Sequence, residues 1–187
     1  MSRERDGHDE RIRPVRAGDW PGIALVEAAA YAGSSLTEGR AALESKGRAS
    51  PDTCFVVDLD GDVAGYLLAL PYPRFQYPPL ARADEPAHDA RNLHLHDMVV
   101  AHGHRGRGWG CGLLDRLTAA ARPRFEHISL VAVDGMAAFW AAHGYQAHPR
   151  VRLPESYGEN AVYMSIAVPG RGSRPSKEVA RFPCPVS

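Results

Sequence analysis

The chain has 187 residues, 44% of them hydrophobic and 24% charged, which is the make-up of one globular domain able to bury most of the surface its unfolded form exposes. Its 22 basic and 22 acidic side chains cancel, leaving no global field to draw in nucleic acid or an anionic membrane. Any anion site therefore has to be local.

Residues 1–10 are almost wholly polar and lack the apolar stretch of a signal peptide, so a disordered N-terminal tail is expected there. The domain is expected over 11–168. Ile12 to Val15 reads as a first strand. A helix follows, with Asp19 at its N-cap, Pro21 in its first turn and Ile23, Val26 and Ala30 as its apolar stripe. A second helix is expected from near Thr37, with Gly39 as a weak point inside it. Cys54–Asp58 and Val63–Leu70 flank Asp60-Gly61, the clearest hairpin signal in the chain. From Pro71 to Arg91, prolines and the aromatics Tyr72, Phe75 and Tyr77 form a long loop that can wall a pocket or anchor itself to the body. Leu93–Val100 is a strand, about Gly110 to Arg122 a helix with Leu113, Leu114, Leu117 and Ala121 on its apolar face, and Ile128–Val133 a strand. A short helix over Met136–His143, ended by Gly144, and a final strand over Ala161–Val168 complete a mixed α/β domain. Residues 169–187, rich in Pro, Gly and Ser, are expected to be a disordered tail.

Between the strand at Leu93–Val100 and its following helix lies HRGRGWGCGLL, with Gly106, Gly108, Gly110 and Gly112 at alternate positions. Glycine permits positive φ and lets backbone N–H groups approach a phosphate, and the helix N-terminus adds partial positive charge. Arg105 and Arg107 add cationic donors. The spacing lacks the G-x-x-x-x-G-K-[ST] of a P-loop, and it comes too late in the domain for a dinucleotide fingerprint.

Arg105, Gly108 and Gly110 match the R-x-x-G-x-G turn of the GNAT superfamily, and F-W-A-A-H-G-Y is similar to that family's Y-x-x-x-G-F segment, so the resemblance spans about residues 93–146. It implies an α/β GNAT acyl-CoA N-acyltransferase fold: a mixed sheet, splayed at its centre and flanked by helices, with acetyl-CoA as acyl donor. It also implies that the backbone of Met98, Val99 and Val100 bonds the pantetheine, while Arg105, Gly106, Arg107, Gly108, Trp109 and Gly110 hold the pyrophosphate. The family tyrosine that protonates the departing thiolate would align with Trp140, whose indole N–H donates a hydrogen bond but no proton, leaving Tyr145, Tyr163 or solvent for that task, or no acid at all if the sulfur leaves as thiolate.

An amine must lose a proton before it attacks a thioester, so a base is needed. His94 and His96 stand two apart on the same strand, hence on one face, with Asp97 expected on the other. L-H-L-H-D-M-V-V resembles the H-x-H strand of the aralkylamine (serotonin) N-acetyltransferases, where a histidine pair relays the amine's proton. Two other readings of the pair are open: structural histidines within the sheet, or metal ligands, the latter disfavoured because alternation turns Asp97 away. No metal is expected. Tyr31, Tyr72 and Phe75 are the candidate substrate wall, and Met136, Phe139 and Trp140 read as core.

The expected activity is acetyl transfer from acetyl-CoA to a primary amine, a small molecule, by direct attack in a ternary complex. The alternatives are a non-catalytic acyl-CoA-binding module or an acetyltransferase acting on a protein or peptide amine. No nucleic-acid or membrane partner is expected, and a homodimer is compatible with the chain. Cys54, Cys111 and Cys184 are odd in number without C-x-x-C spacing, which favours a reducing, cytoplasmic setting.

Overall fold

Seven strands form one sheet in the order β1-β2-β3-β4-β5-β7-β6. The computed structural model describes residues 10–80 and 89–169; all but one residue of each expected tail and part of the long loop lie outside that range. The elements are β1 (Ile12–Pro14), α1 (Trp20–Ala30), α2 (Arg40–Ala49), β2 (Phe55–Leu59), β3 (Asp62–Pro71), β4 (Asn92–Val100), α3 (Trp109–Ala121), β5 (His127–Ala132), α4 (Ala137–Ala142), β6 (Gln146–Ala147) and β7 (Val162–Ala167). β4 and β5 run parallel, and every other neighbouring pair is antiparallel.

Local chemistry explains the boundaries. Asp60 and Gly61 both take positive φ (58° and 97°), the conformation a tight hairpin between β2 and β3 demands. Gly39 does not interrupt α2. It precedes the helix at φ 80°, so the helix starts three residues later than the sequence led us to expect. Asp19 sits at the N-cap of α1 without a side-chain cap bond; its carboxylate instead accepts the Arg16 N–H at 2.7 Å and pairs with Arg13. β6 is only two residues long, too short for any period to reveal it in the sequence.

Strand alternation divides the core between the two faces of the sheet. On one face α3 packs Leu113, Leu114, Leu117 and Ala121 against Ile12, Phe55, Leu67, Leu93, Leu95 and Ile128. Burying Leu113 and Leu117 completely contributes about 1.5–3 kcal/mol each relative to exposure. On the other face α1 and α2 place Trp20, Ile23 and Leu43 over Val56, Tyr66, Leu68 and Val99.

The register contains one irregularity that shapes the site. Leu68 pairs with Asp97 and Ala69 with Leu95, so one step along β3 faces two along β4, and His96 is the extra residue of a β-bulge.

Candidate active site

β4 pairs with β3 along its whole length but with β5 at only three positions, Asn92↔His127, Leu93↔Ile128 and His94↔Ser129. Beyond that point β5 turns its ladder to β7 alone, and the sheet splits along the remaining edge of β4. At the end of that edge the Ala101 N–H donates to the Ala64 carbonyl of β3 at 2.9 Å. Antiparallel alternation from this bond aims the amides of Met98 and Val100 into the split and that of Val99 at β3. Gly65 permits the close approach of β3 here, because a Cβ at that position would lie 2.8 Å from the Val99 carbonyl oxygen.

The glycine-rich turn stands at the mouth of the split. Arg105 Nε donates to the Val100 carbonyl at 3.0 Å, tying the turn to the end of β4. Gly106 and Gly108 take positive φ (72° and 84°), and Gly108 is the left-handed N-cap of α3. A Cβ at Gly103, Gly106 or Gly110 would meet nothing within 4 Å, so this backbone is uncovered. Arg105 and Arg107 are exposed, whereas Trp109 is buried in the core and anchors the helix start. A turn of this kind offers N–H groups and cations to a phosphate.

A cavity of about 160 Å³ runs through the split. Leu95, His96, Asp97 and Met98 form one wall and Leu130, Val131 and Val133 the opposite one. Met136, Phe139 and Trp140 close the α4 side, and Tyr31, Leu36, Glu38, Leu80 and Tyr157 close the other. The three α4-side residues, expected to be core, therefore line the cavity. Trp140 does both, packing edge-on against Tyr145 with centroids 5.3 Å apart.

The bulge at His96 corrects the expected facing of Asp97. Regular alternation would turn Asp97 toward α3; the extra residue instead brings it to the α1–α2 side, where its partner Leu68 also points. There Asp97 accepts hydrogen bonds from Tyr31 at 2.7 Å and from Tyr66. Burial pushes its carboxyl above the usual range, with the two hydroxyls acting in the opposite sense. Burial and the Asp97 charge push both tyrosines up as well.

The two histidines have different surroundings. His94 is buried, its Nδ1 lies 3.0 Å from Ser129 Oγ, and its ring stacks near Tyr163 with centroids 6.2 Å apart. Burial, and secondarily the nearby His96, lower its pKa to about 3. It does not line the cavity. His96 does, and its Nε2 lies 2.5 Å from Glu38 Oε1. The other Glu38 oxygen accepts from Lys46 Nζ at 2.6 Å, and the Glu38 N–H donates to Glu27 Oε1 at 2.6 Å. Lys46 also donates to the Leu80 carbonyl at 2.9 Å, joining the long loop to the cavity wall.

Of the other candidate catalytic and substrate residues, only Tyr31 reaches the cavity. Tyr145 is buried in the core, away from the cavity lining, and burial alone pushes its phenol up. Tyr163 accepts the Phe75 N–H at 2.8 Å. Tyr31 lines the cavity but Tyr72 and Phe75 do not: Tyr72 is held by backbone bonding to Asn92, and Phe75 packs edge-on against His148. These two aromatics anchor the loop. Sequence reasoning missed Glu38 and Lys46. Lys46 had a signal, since it shares the buried face of α2 with Leu43 and Gly47, a lysine on an apolar stripe. Among the described residues, no group of three or more His, Cys, Asp or Glu could hold a metal ion, and no helix is long and apolar enough to cross a membrane.

A mixed seven-stranded sheet flanked by helices and split beside a glycine-rich turn is the GNAT acyltransferase fold. The chain belongs to the GNAT acetyltransferase family, whose model matches residues 20–145. Three solved structures have the same fold. The GphF GNAT-like decarboxylase in complex with isobutyryl-CoA aligns over 85% of this chain and 100% of its own, with a TM-score of 0.69 and 20% identity. N-acetylglutamate synthase from Neisseria gonorrhoeae, complexed with coenzyme A and N-acetyl-glutamate, aligns over 84% of this chain and 35% of its own, at TM-score 0.64 and 19% identity. The ribosomal-protein-S18-alanine N-acetyltransferase from Escherichia coli aligns over 87% and 96%, at 0.59 and 14%. At these identities the similarity is one of fold. No curated protein matches the sequence.

Proposed function

We propose that this protein transfers the acetyl group of acetyl-CoA to a small primary amine by direct attack in a ternary complex. The observation that carries this reading is the cavity through the split, where His96, Asp97 and the edge of β4 at Met98 meet on consecutive residues. The exposed glycine-rich turn suits the pyrophosphate, and the amides of Met98 and Val100 suit the pantetheine and the thioester carbonyl. The residues present fit the cofactor the family implies.

The lining supports this choice of acceptor. Tyr31, Phe139, Trp140 and Tyr157 give aromatic and apolar walls, and Glu38 and Asp97 add carboxyl groups. An ammonium on an apolar body matches both. His96 is the group assigned to take the proton. The amine nitrogen then bonds to the carbonyl carbon, the C–S bond breaks with the electron pair leaving on sulfur, and the second proton of the adduct's nitrogen is lost to solvent. Trp140 offers no proton, the Tyr31 hydroxyl is donated to Asp97, and Tyr145 lies in the core. The sulfur is therefore assigned to leave as thiolate, reasonable for a thiol pKa of about 8.5.

Calorimetric titration with acetyl-CoA, with NAD as control, followed by a panel of aralkyl- and alkylamines with detection of free CoA thiol, tests the proposal. Binding followed by amine-dependent thiol release is the expected result. Binding without release across the panel would favour a non-catalytic acyl-CoA module or a peptide acceptor, and absence of binding would overturn the assignment of the turn.

A further inference from the structure

We propose that Glu38 and Lys46 are positioning residues that fix the tautomer and set the ionisation of His96. The consequence for turnover rests on the acetyl-transfer reading; the tautomer and the titration do not.

His96 Nε2 and Glu38 Oε1 are 2.5 Å apart, and the two side chains are 1% and 4% exposed, so water does not complete this contact. An ionised carboxylate only accepts hydrogen bonds, so the hydrogen between them resides on Nε2 and the lone pair of the neutral imidazole on Nδ1. A base for a protonated amine needs that lone pair. Glu38 is held in place: Lys46 donates to its second carboxylate oxygen at 2.6 Å, Glu27 accepts its backbone N–H, and Gly39 at φ 80° turns the chain away into α2. Lys46 is itself fully buried, with a second bond to Leu80.

Stability alone is a poor explanation for this arrangement. A buried ion pair recovers its desolvation cost only with excellent geometry, and well-packed apolar side chains often replace such a pair at no loss. What an apolar pair would lose is control over the imidazole that lines the cavity. Lys46 tempers Glu38, because with the lysine charge removed the carboxylate would face the imidazole uncompensated. Around this contact, His94 and Asp97 of β4 interact with the His96 charge, Tyr31 just past α1 shares the cavity, Glu27 of α1 accepts the Glu38 N–H, and Tyr66 of β3 bonds Asp97. Tyr31 and Tyr66 are both tied to Asp97, and His94 is held neutral by burial, so the acid bonded directly to the His96 ring is Glu38 and its counter-ion is Lys46.

The test uses ¹⁵N-histidine spectra of the whole protein without ligands, the His96 signals being assigned by their loss in H96Q. The expected result is an Nε2–H tautomer for His96 in the wild type. In E38Q the titration midpoint should fall by about one to three pH units, and in K46M it should rise, because one change removes an opposite charge and the other a like charge. The double variant E38Q/K46M replaces the ion pair with neutral groups. It provides a folded comparison if either single variant fails to fold, and its midpoint should also lie below that of the wild type. An Nδ1–H tautomer in the wild type, or midpoints unmoved in the variants that fold, would overturn the proposal. Titrations that behave as expected in a protein that acetylates no amine would uphold the positioning pair and discard the reaction; amine acetylation with unmoved midpoints would do the reverse.

Discussion

The Tyr31 hydroxyl donates to Asp97 Oδ1 at 2.7 Å, fastening the C-terminal end of α1 to the middle of β4. Tyr66 holds the second oxygen, and burial raises the Asp97 carboxyl above its ordinary range. A carboxyl raised in the folded state contributes fully at low pH and loses that contribution as pH climbs through its folded value. The stability difference between wild type and D97N, followed by urea unfolding at stepped pH, should therefore move in favour of the variant as pH rises. A difference that does not change with pH would mean the fold ionises Asp97 as readily as the unfolded chain does.

His94 titrates in the opposite sense. Its folded value of about 3 lies below the ordinary 6.5, so its contribution is complete above 6.5 and is lost as pH falls toward 3. H94Q is expected to be less stable near neutrality by about 1–3 kcal/mol, through loss of the bond to Ser129, yet to unfold less steeply in acid. Its turnover at neutral pH should stay near that of the wild type, whereas H96Q should lose most of it. A comparable loss in H94Q would restore the two-histidine relay.

Tyr145 provides a check on the departing thiolate. Because its ring is in the core beside Trp140, Y145F should turn over at the wild-type rate. A drop of about a hundredfold, the scale of a lost general acid, would place its hydroxyl in the chemistry after all.

Two glycines test the cofactor region by different physics. G108A forces a Cβ onto a backbone at φ 84°, costing about 1–2 kcal/mol at the start of α3. G65A pushes a methyl to within 2.8 Å of the Val99 carbonyl and displaces the β4 edge, at about 1–3 kcal/mol. Both are expected to weaken acetyl-CoA binding by calorimetry, whereas G33A, where nothing lies within 4 Å, should change stability and leave binding intact.

Where the sequence was legible, short-range chemistry made it so. Asp60-Gly61 announced the hairpin, the 3.6-residue period of Leu113, Leu114, Leu117 and Ala121 announced α3, and the alternate glycines announced the turn. The cavity was legible only in part. His96 and Tyr31 line it, but Glu38 meets His96 across 58 residues of chain, a separation no local pattern spans. Phe139 and Trp140 looked like core because apolar residues on a short helix have the same periodicity whether they face a packed interior or a cleft. The facing of Asp97 was misread because counting by twos assumes an unbroken pleat.

That break in the pleat has a consequence for comparing chains. A single inserted residue in the middle of β4 puts the two halves of the strand out of phase, so the side of the sheet assigned by parity from one end is reversed at the other. Among relatives, a one-residue gap at this point would mean the bulge is missing. Here it would decide whether the acid after the histidine shares its compartment or points toward the opposite helix.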